Sequence, residues 1–96
     1  MATIDIRRAH ALATEDARRR VEGLAAAVSA AYQLDWRWRD DQILFEASRG
    51  PANGLRGSID VTEKEIRVQA DLPFLLRLAR ARIDSEINAK LDAALL

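Results

Sequence analysis

Leu34-Asp35-Trp36-Arg37-Trp38-Arg39-Asp40-Asp41-Gln42-Ile43-Leu44-Phe45-Glu46-Ala47 is the stretch that decides the fold. Successive side chains of an extended chain point to opposite faces. Leu34, Trp36 and Trp38 therefore share one face, and Asp35, Arg37 and Arg39 the other. Asp40-Asp41 supplies turn chemistry, after which Ile43, Phe45 and Ala47 resume the alternation. Strand, tight turn and strand with one apolar face predict an antiparallel hairpin lying on a core.

The same period of two continues downstream. Gly50-Pro51-Ala52-Asn53-Gly54 is a loop of chain breakers, followed by Leu55, Gly57, Ile59 and Val61 in alternation. Thr62 to Lys64 turn the chain, and Ile66, Val68 and Ala70 form another strand. Near the start, Ile4 and Ile6 alternate with Asp5 and Arg7 from Thr3 to Arg8. Connections of hairpin length between the last four strands make antiparallel pairing the simplest topology.

Two segments have helical period instead. Ala17, Val21, Leu24, Val28 and Ala31 form a stripe from Thr14 to about Tyr32. Thr14 is read as its cap, and Glu15 and Asp16 lie at the positive end of the helix dipole. Glu15/Arg19, Asp16/Arg20 and Arg18/Glu22 are spaced for exposed ion pairs. The second stripe is Leu75 or Leu76, Ala79, Ile83, Ile87, Leu91 and Ala94, flanked by Arg80/Asp84, Arg82/Glu86 and Glu86/Lys90. Pro73 suits that helix's first turn, where its missing N–H has no partner to lose. The predicted fold class is α+β. It is a two-layer sandwich of an antiparallel sheet with two helices on one face, in the order β-α-β-β-β-β-α.

Ninety-six residues fit one domain, residues 1–96, with a modest core and no room for a large internal cavity. The composition, 49% apolar and 31% charged, is that of a globular chain. Fifteen basic residues balance fifteen acidic ones, so net charge provides no drive towards nucleic acid or an anionic membrane. Cysteine is absent, which excludes disulfides, thiolate metal sites and cysteine nucleophiles and is compatible with the cytoplasm. The first residues, Met-Ala-Thr-Ile-Asp-Ile-Arg-Arg, have no secretory h-region, and no stretch has the length of a membrane span.

Few residues suggest chemistry. His10 is the only histidine and is read as structural, because a metal site needs several ligands. Ser29, Ser48, Ser58 and Ser85 lack a nucleophile-elbow context. No phosphate-binding glycine loop is present, and Asp40-Asp41 reads as a turn rather than a catalytic pair. No catalytic residue, metal or cofactor is predicted. Arg18-Arg19-Arg20 is read as a solvated face. Trp36 and Trp38 suit either a stacking platform or the core, and their apolar neighbours favour the core. The best binding candidate is the start of the last helix. Phe74, Leu75, Leu76, Leu78 and Ala79 leave it apolar on more than one side. Packing of Phe74 and Leu78 into the core is the favoured expectation. The alternative is an exposed apolar binding surface of Phe74 and Leu78 with Arg77, to which Trp36 is added.

Taken together, Ile4-x-Ile6-x-x-x-x-His10-x-Leu12, Asp16-Ala17-Arg18-x-x-Val21, Trp38-x-x-Asp41-x-Ile43-x-Phe45, Gly54-Leu55-x-Gly57-x-Ile59, Leu72-x-x-Leu75-Leu76 and Ile83-x-x-x-Ile87-x-x-x-Leu91 resemble the polyhydroxyalkanoic acid system family. These are small bacterial proteins associated with polyester storage granules. The resemblance spans nearly the whole chain. The departures are an enlarged loop around Arg49 to Asn53, Asp40 where a turn glycine is usual, and Pro73 where glycine usually follows leucine. The resemblance implies a non-enzymatic cytoplasmic protein whose partners are the granule surface or granule proteins, with no catalytic residues to carry over. Two other readings stand beside it. One is a helix-grip-like binder of a small apolar ligand, for which Trp and Phe side chains leave little room. The other is a homodimeric interaction module.

Overall fold

The computed structural model describes residues 3–50 and 52–95. Met1 and Ala2 of the first segment, and Pro51 of the breaker-rich loop, lie outside the described residues. Five strands form one antiparallel sheet: β1 (Ile4–Ala9), β2 (Asp35–Arg39), β3 (Gln42–Glu46), β4 (Arg56–Val61) and β5 (Glu65–Asp71). Their spatial order is β1-β5-β4-β3-β2. The last four strands are a meander, and β1 closes its far edge against β5. The register aligns Trp36, Phe45, Gly57, Ala70 and Ile4 in one row across the sheet, and Trp38, Ile43, Ile59, Val68 and Ile6 in the next. These rows form the apolar face. The other face carries Asp5, Arg7, Arg37, Glu46, Arg56, Asp60 and Arg67, with Arg67 donating to both carboxylate oxygens of Asp5.

Helix α1 (Thr14–Tyr32) leaves the β1 edge and must deliver the chain to β2 at the opposite edge. Nineteen residues reach about 28 Å, enough to cross five strands about 4.8 Å apart on a diagonal. Ala17, Val21, Leu24 and Ala25 are its buried stripe. Thr14 is the first helical residue rather than a cap: Ala13 takes the N-cap position in extended backbone, and no side chain caps the helix. Asp16 draws in both Arg19, at 2.8 Å, and Arg20, at 3.2 Å, so the expected Glu15/Arg19 pair does not form. Arg18 turns instead to Asp41 at 2.7 Å and lies 4.0 Å over the Trp38 ring. This leaves Glu22 to accept from the Trp38 indole at 3.1 Å.

The predicted last helix is two helices, α2 (Phe74–Arg77) and α3 (Arg80–Leu95). Pro73 is the N-cap residue of α2, one position before the expected first turn, and its carbonyl accepts from Leu76 and Arg77. Leu91 is the buried anchor of α3, with Ile83 and Ile87 half-buried beside it. Of the expected pairs on this helix only Arg82–Glu86 closes, at 3.5 Å. Asp84 is used by the Asn88 amide at 2.8 Å. Arg8 ties β1 to α3 by donating to the Asp92 carboxylate and to Asn88. Helix α3 therefore sits over β1 and α1 over β4 and β2, two helices on one face as predicted. The buried apolar residues form one continuous cluster between the layers.

Asp40 is the first residue of the two-residue β2–β3 turn and has φ 55°. That left-handed conformation costs a side-chain-bearing residue more than glycine. Asp40→Gly is expected to raise stability by about 0.5 kcal/mol, read as an increase in the urea midpoint at unchanged slope.

Candidate functional site

Helix α2 contains a single turn, and its spacing separates its apolar side chains into two groups. Leu76 turns inward and packs on the core cluster. Phe74, Leu75 and Leu78 lie three or four residues apart or adjacent, so they share the outer side. They are 75%, 76% and 82% exposed, the only large apolar side chains so open among the described residues. The favoured expectation that Phe74 and Leu78 join the core is overturned. The reason is geometric: the chain breaks at Leu78-Ala79 before α3 begins, so the apolar turn rides on the end of the sandwich instead of extending α3 across it. Arg77 supports this turn by donating Nε–H to the Leu72 carbonyl at 3.0 Å. Trp36 is half-buried on the edge strand β2 and packs on the core cluster. It is therefore not part of the exposed patch.

Beneath α2, between the sheet and the two long helices, is an apolar cavity of about 70 Å³. Leu24, Ala25, Val28, Leu55, Val68 and Leu76 are in its wall. Phe45 also lines it, but neither tryptophan does, so the aromatic side chains leave this space unfilled. The polar lining residues Tyr32, Glu86 and Lys90, of which Lys90 is exposed, mark the seam between α1 and α3.

Tyr32 donates its phenol proton to Glu86 Oε2 at 2.6 Å across that seam. The bond holds the Glu86 carboxyl below the ordinary carboxylate range; burial opposes it, and Arg82 and Lys90 add to the lowering. It raises the Tyr32 phenol above its usual value. A carboxyl with a lowered folded value adds stability above its unfolded value, about 4.3. That stability is lost as pH falls through the folded value. A phenol with a raised value adds stability below about 10, lost as pH rises beyond it. In urea titrations Tyr32→Phe is expected to be less stable than wild type by a constant amount between about pH 5 and 9. The difference should shrink on either side. Asp5, lowered chiefly by its hydrogen bond from Arg67, steepens the acid limb of both proteins equally and cancels in the comparison.

The remaining candidates fall in structural places. His10 Nδ1 accepts from the Leu12 amide at 3.1 Å and its Nε2 lies 2.8 Å from the Thr62 carbonyl, which assigns the proton to Nε2. The ring pins the chain leaving β1 to the β4–β5 turn. Thr62 Oγ1 in turn accepts from Glu65 and Lys64. Arg20 of the basic run reaches the Ala94 carbonyl at 3.0 Å. Asp40-Asp41 is the hairpin turn already described. Among the described residues no three His, Asp or Glu side chains converge on a point that could hold a metal ion. No helix among the described residues is long and apolar enough to cross a membrane.

A family model described as "Putative polyhydroxyalkanoic acid system protein" matches residues 4–95. The chain belongs to this polyhydroxyalkanoic acid system family. No curated protein matches it, and no solved structure does. The matched span runs from β1 to the end of α3 and so takes in the whole sheet, the α2 patch and the cavity. Two of the departures from the family's usual residues have a place in the structure. Asp40 carries its turn in a left-handed conformation. Pro73 lies against Gly54, whose φ of 97° only glycine adopts readily.

Proposed function

We propose that this protein acts without catalysis at the surface of a polyhydroxyalkanoate granule in the cytoplasm, adsorbing through Phe74, Leu75 and Leu78. The observation that carries the reading is the exposure of these three side chains on one turn, at 75%, 76% and 82%. An apolar patch that water solvates at a cost is the natural contact for a hydrophobic polyester surface. Arg80 is exposed beside it and can keep its guanidinium in water while its stem lies along the interface, and Arg77 holds the turn through the Leu72 carbonyl. Membership of a polyhydroxyalkanoic acid system family supplies the polymer. A tagged full chain expressed in polymer-accumulating cells is expected to collect on the granules and to be diffuse in cells without polymer. Diffuse distribution in both would overturn the proposal.

The same patch also favours a second reading, a two-fold interface in which α2 packs against α2 of another copy. Mass measured in solution separates the two: a concentration-dependent dimer lost on Leu78→Glu supports the interface, and a monomer at all concentrations supports adsorption.

A further inference from the structure

We infer that the seam between α1 and α3 binds a short aliphatic monocarboxylate, with its hydrocarbon end in the cavity and its carboxylate at Lys90. The interior presents almost entirely carbon, from Leu24, Ala25, Val28, Ile83 and Ile87. The Ser29 hydroxyl in the wall is buried with no hydrogen-bond partner. Apart from this one hydroxyl the lining offers a ligand only apolar contact, and so accepts a hydrocarbon chain. A cavity of about 150 Å³ takes the six carbons of benzene, so 70 Å³ takes about three chain carbons.

Charge at the rim selects the head group. Glu86 is already engaged, accepting from Tyr32 at 2.6 Å and pairing with Arg82 at 3.5 Å. Lys90, one turn further along α3, lines the same opening and has no hydrogen bond or ion pair among the described residues. Its ammonium acts through space on the Glu86 carboxylate but donates to no acceptor among the described residues, so it is the cation at the mouth with hydrogen bonds still to give. A carboxylate complements it, an amine is repelled, and an alcohol fills the cavity without using it. A chain of four to six carbons places its tail inside while its carboxylate reaches the seam. The granule reading plays no part in this inference, and its test contains no polymer, so either can fail without the other.

The test is a ¹H–¹⁵N NMR titration of the full chain with acetate, butyrate, hexanoate and hexan-1-ol. Hexanoate is expected to give saturable shifts centred on Leu24, Val28, Tyr32, Ile83 and Ile87. Half-saturation should fall on the order of a few millimolar, as suits so small a ligand, and at least tenfold below acetate. Lys90→Gln should weaken hexanoate about threefold to fivefold and leave hexan-1-ol unchanged. Ala25→Leu, which fills the cavity, should abolish both; Val28→Met repeats the test if that variant does not fold. Shifts that never saturate, that centre on the outward-facing Phe74, Leu75 and Leu78, or that survive filling of the cavity would overturn the inference. Equal loss of hexanoate and hexan-1-ol on Lys90→Gln, or loss of neither, would overturn the head-group assignment.

Discussion

Phe74→Glu combined with Leu78→Glu should release the protein from isolated polymer granules, raising the concentration needed for half-maximal adsorption by about a hundredfold or more. Full burial of a Phe or Leu side chain is worth about 1.5–3 kcal/mol. Losing two such contacts, even half-buried ones, therefore removes about 3 kcal/mol, and each carboxylate placed against polymer must be desolvated as well. The fold should be indifferent, because both side chains are more than 70% exposed and substitutions at such positions usually fall within about 0.5 kcal/mol. An unchanged thermal midpoint with lost adsorption is the expected pair of results. Adsorption should also change little between low and high salt, because contacts between apolar groups are not screened. Binding that collapses with salt would move the attachment to the arginines of the exposed sheet face.

Gly57→Ala should cost the fold more than any surface change, about 3 kcal/mol, or a fall in thermal midpoint of about 12–24 °C. A Cβ on Gly57 would lie 2.4 Å from the Gln69 carbonyl oxygen and 2.4 Å from the tip of the Phe45 ring. Phe45 pairs with Gly57 across the β3–β4 register and lays its ring in the space a side chain would occupy. The ring can give way by changing rotamer, but the carbonyl belongs to the β4–β5 ladder and cannot. Adding Phe45→Leu should therefore recover less than half of the loss in thermal denaturation.

These two predictions also mark where reading the residues succeeds and where it stops. A period of two is a local property, so all five strands, their apolar face and the turn at Asp40-Asp41 are visible in the alternation alone. The order β1-β5-β4-β3-β2 is not, because nothing local says which edge β1 will take. Gly57 occupies an inward position in its strand's alternation, but that Phe45 fills its place depends on a register between two strands. Arg8 and Asp92 lie 84 residues apart and meet only because α3 lies over β1. Among the charged pairs, i,i+4 spacing overstated the local partners: Arg18 prefers Asp41 and the Trp38 ring, which the fold brings to it. The start of the last helix was recognisable as too apolar for one stripe. Which side chains face water depended on the break at Leu78-Ala79, where no proline or glycine marks it. The cavity left no trace in the pattern, since a void is a sum of side-chain volumes rather than a property of any residue.

Attachment to polymer through the turn Phe74 to Leu78, as proposed above, is open to one direct measurement. Amide hydrogen exchange, compared between the free protein and the protein adsorbed on polyhydroxyalkanoate granules, tests it most directly. Slowed exchange is expected to be confined to α2 and the residues either side of it, with the exposed face of the sheet unchanged. Protection spread over the arginine-bearing sheet face, with α2 exchanging as freely as before, would contradict it.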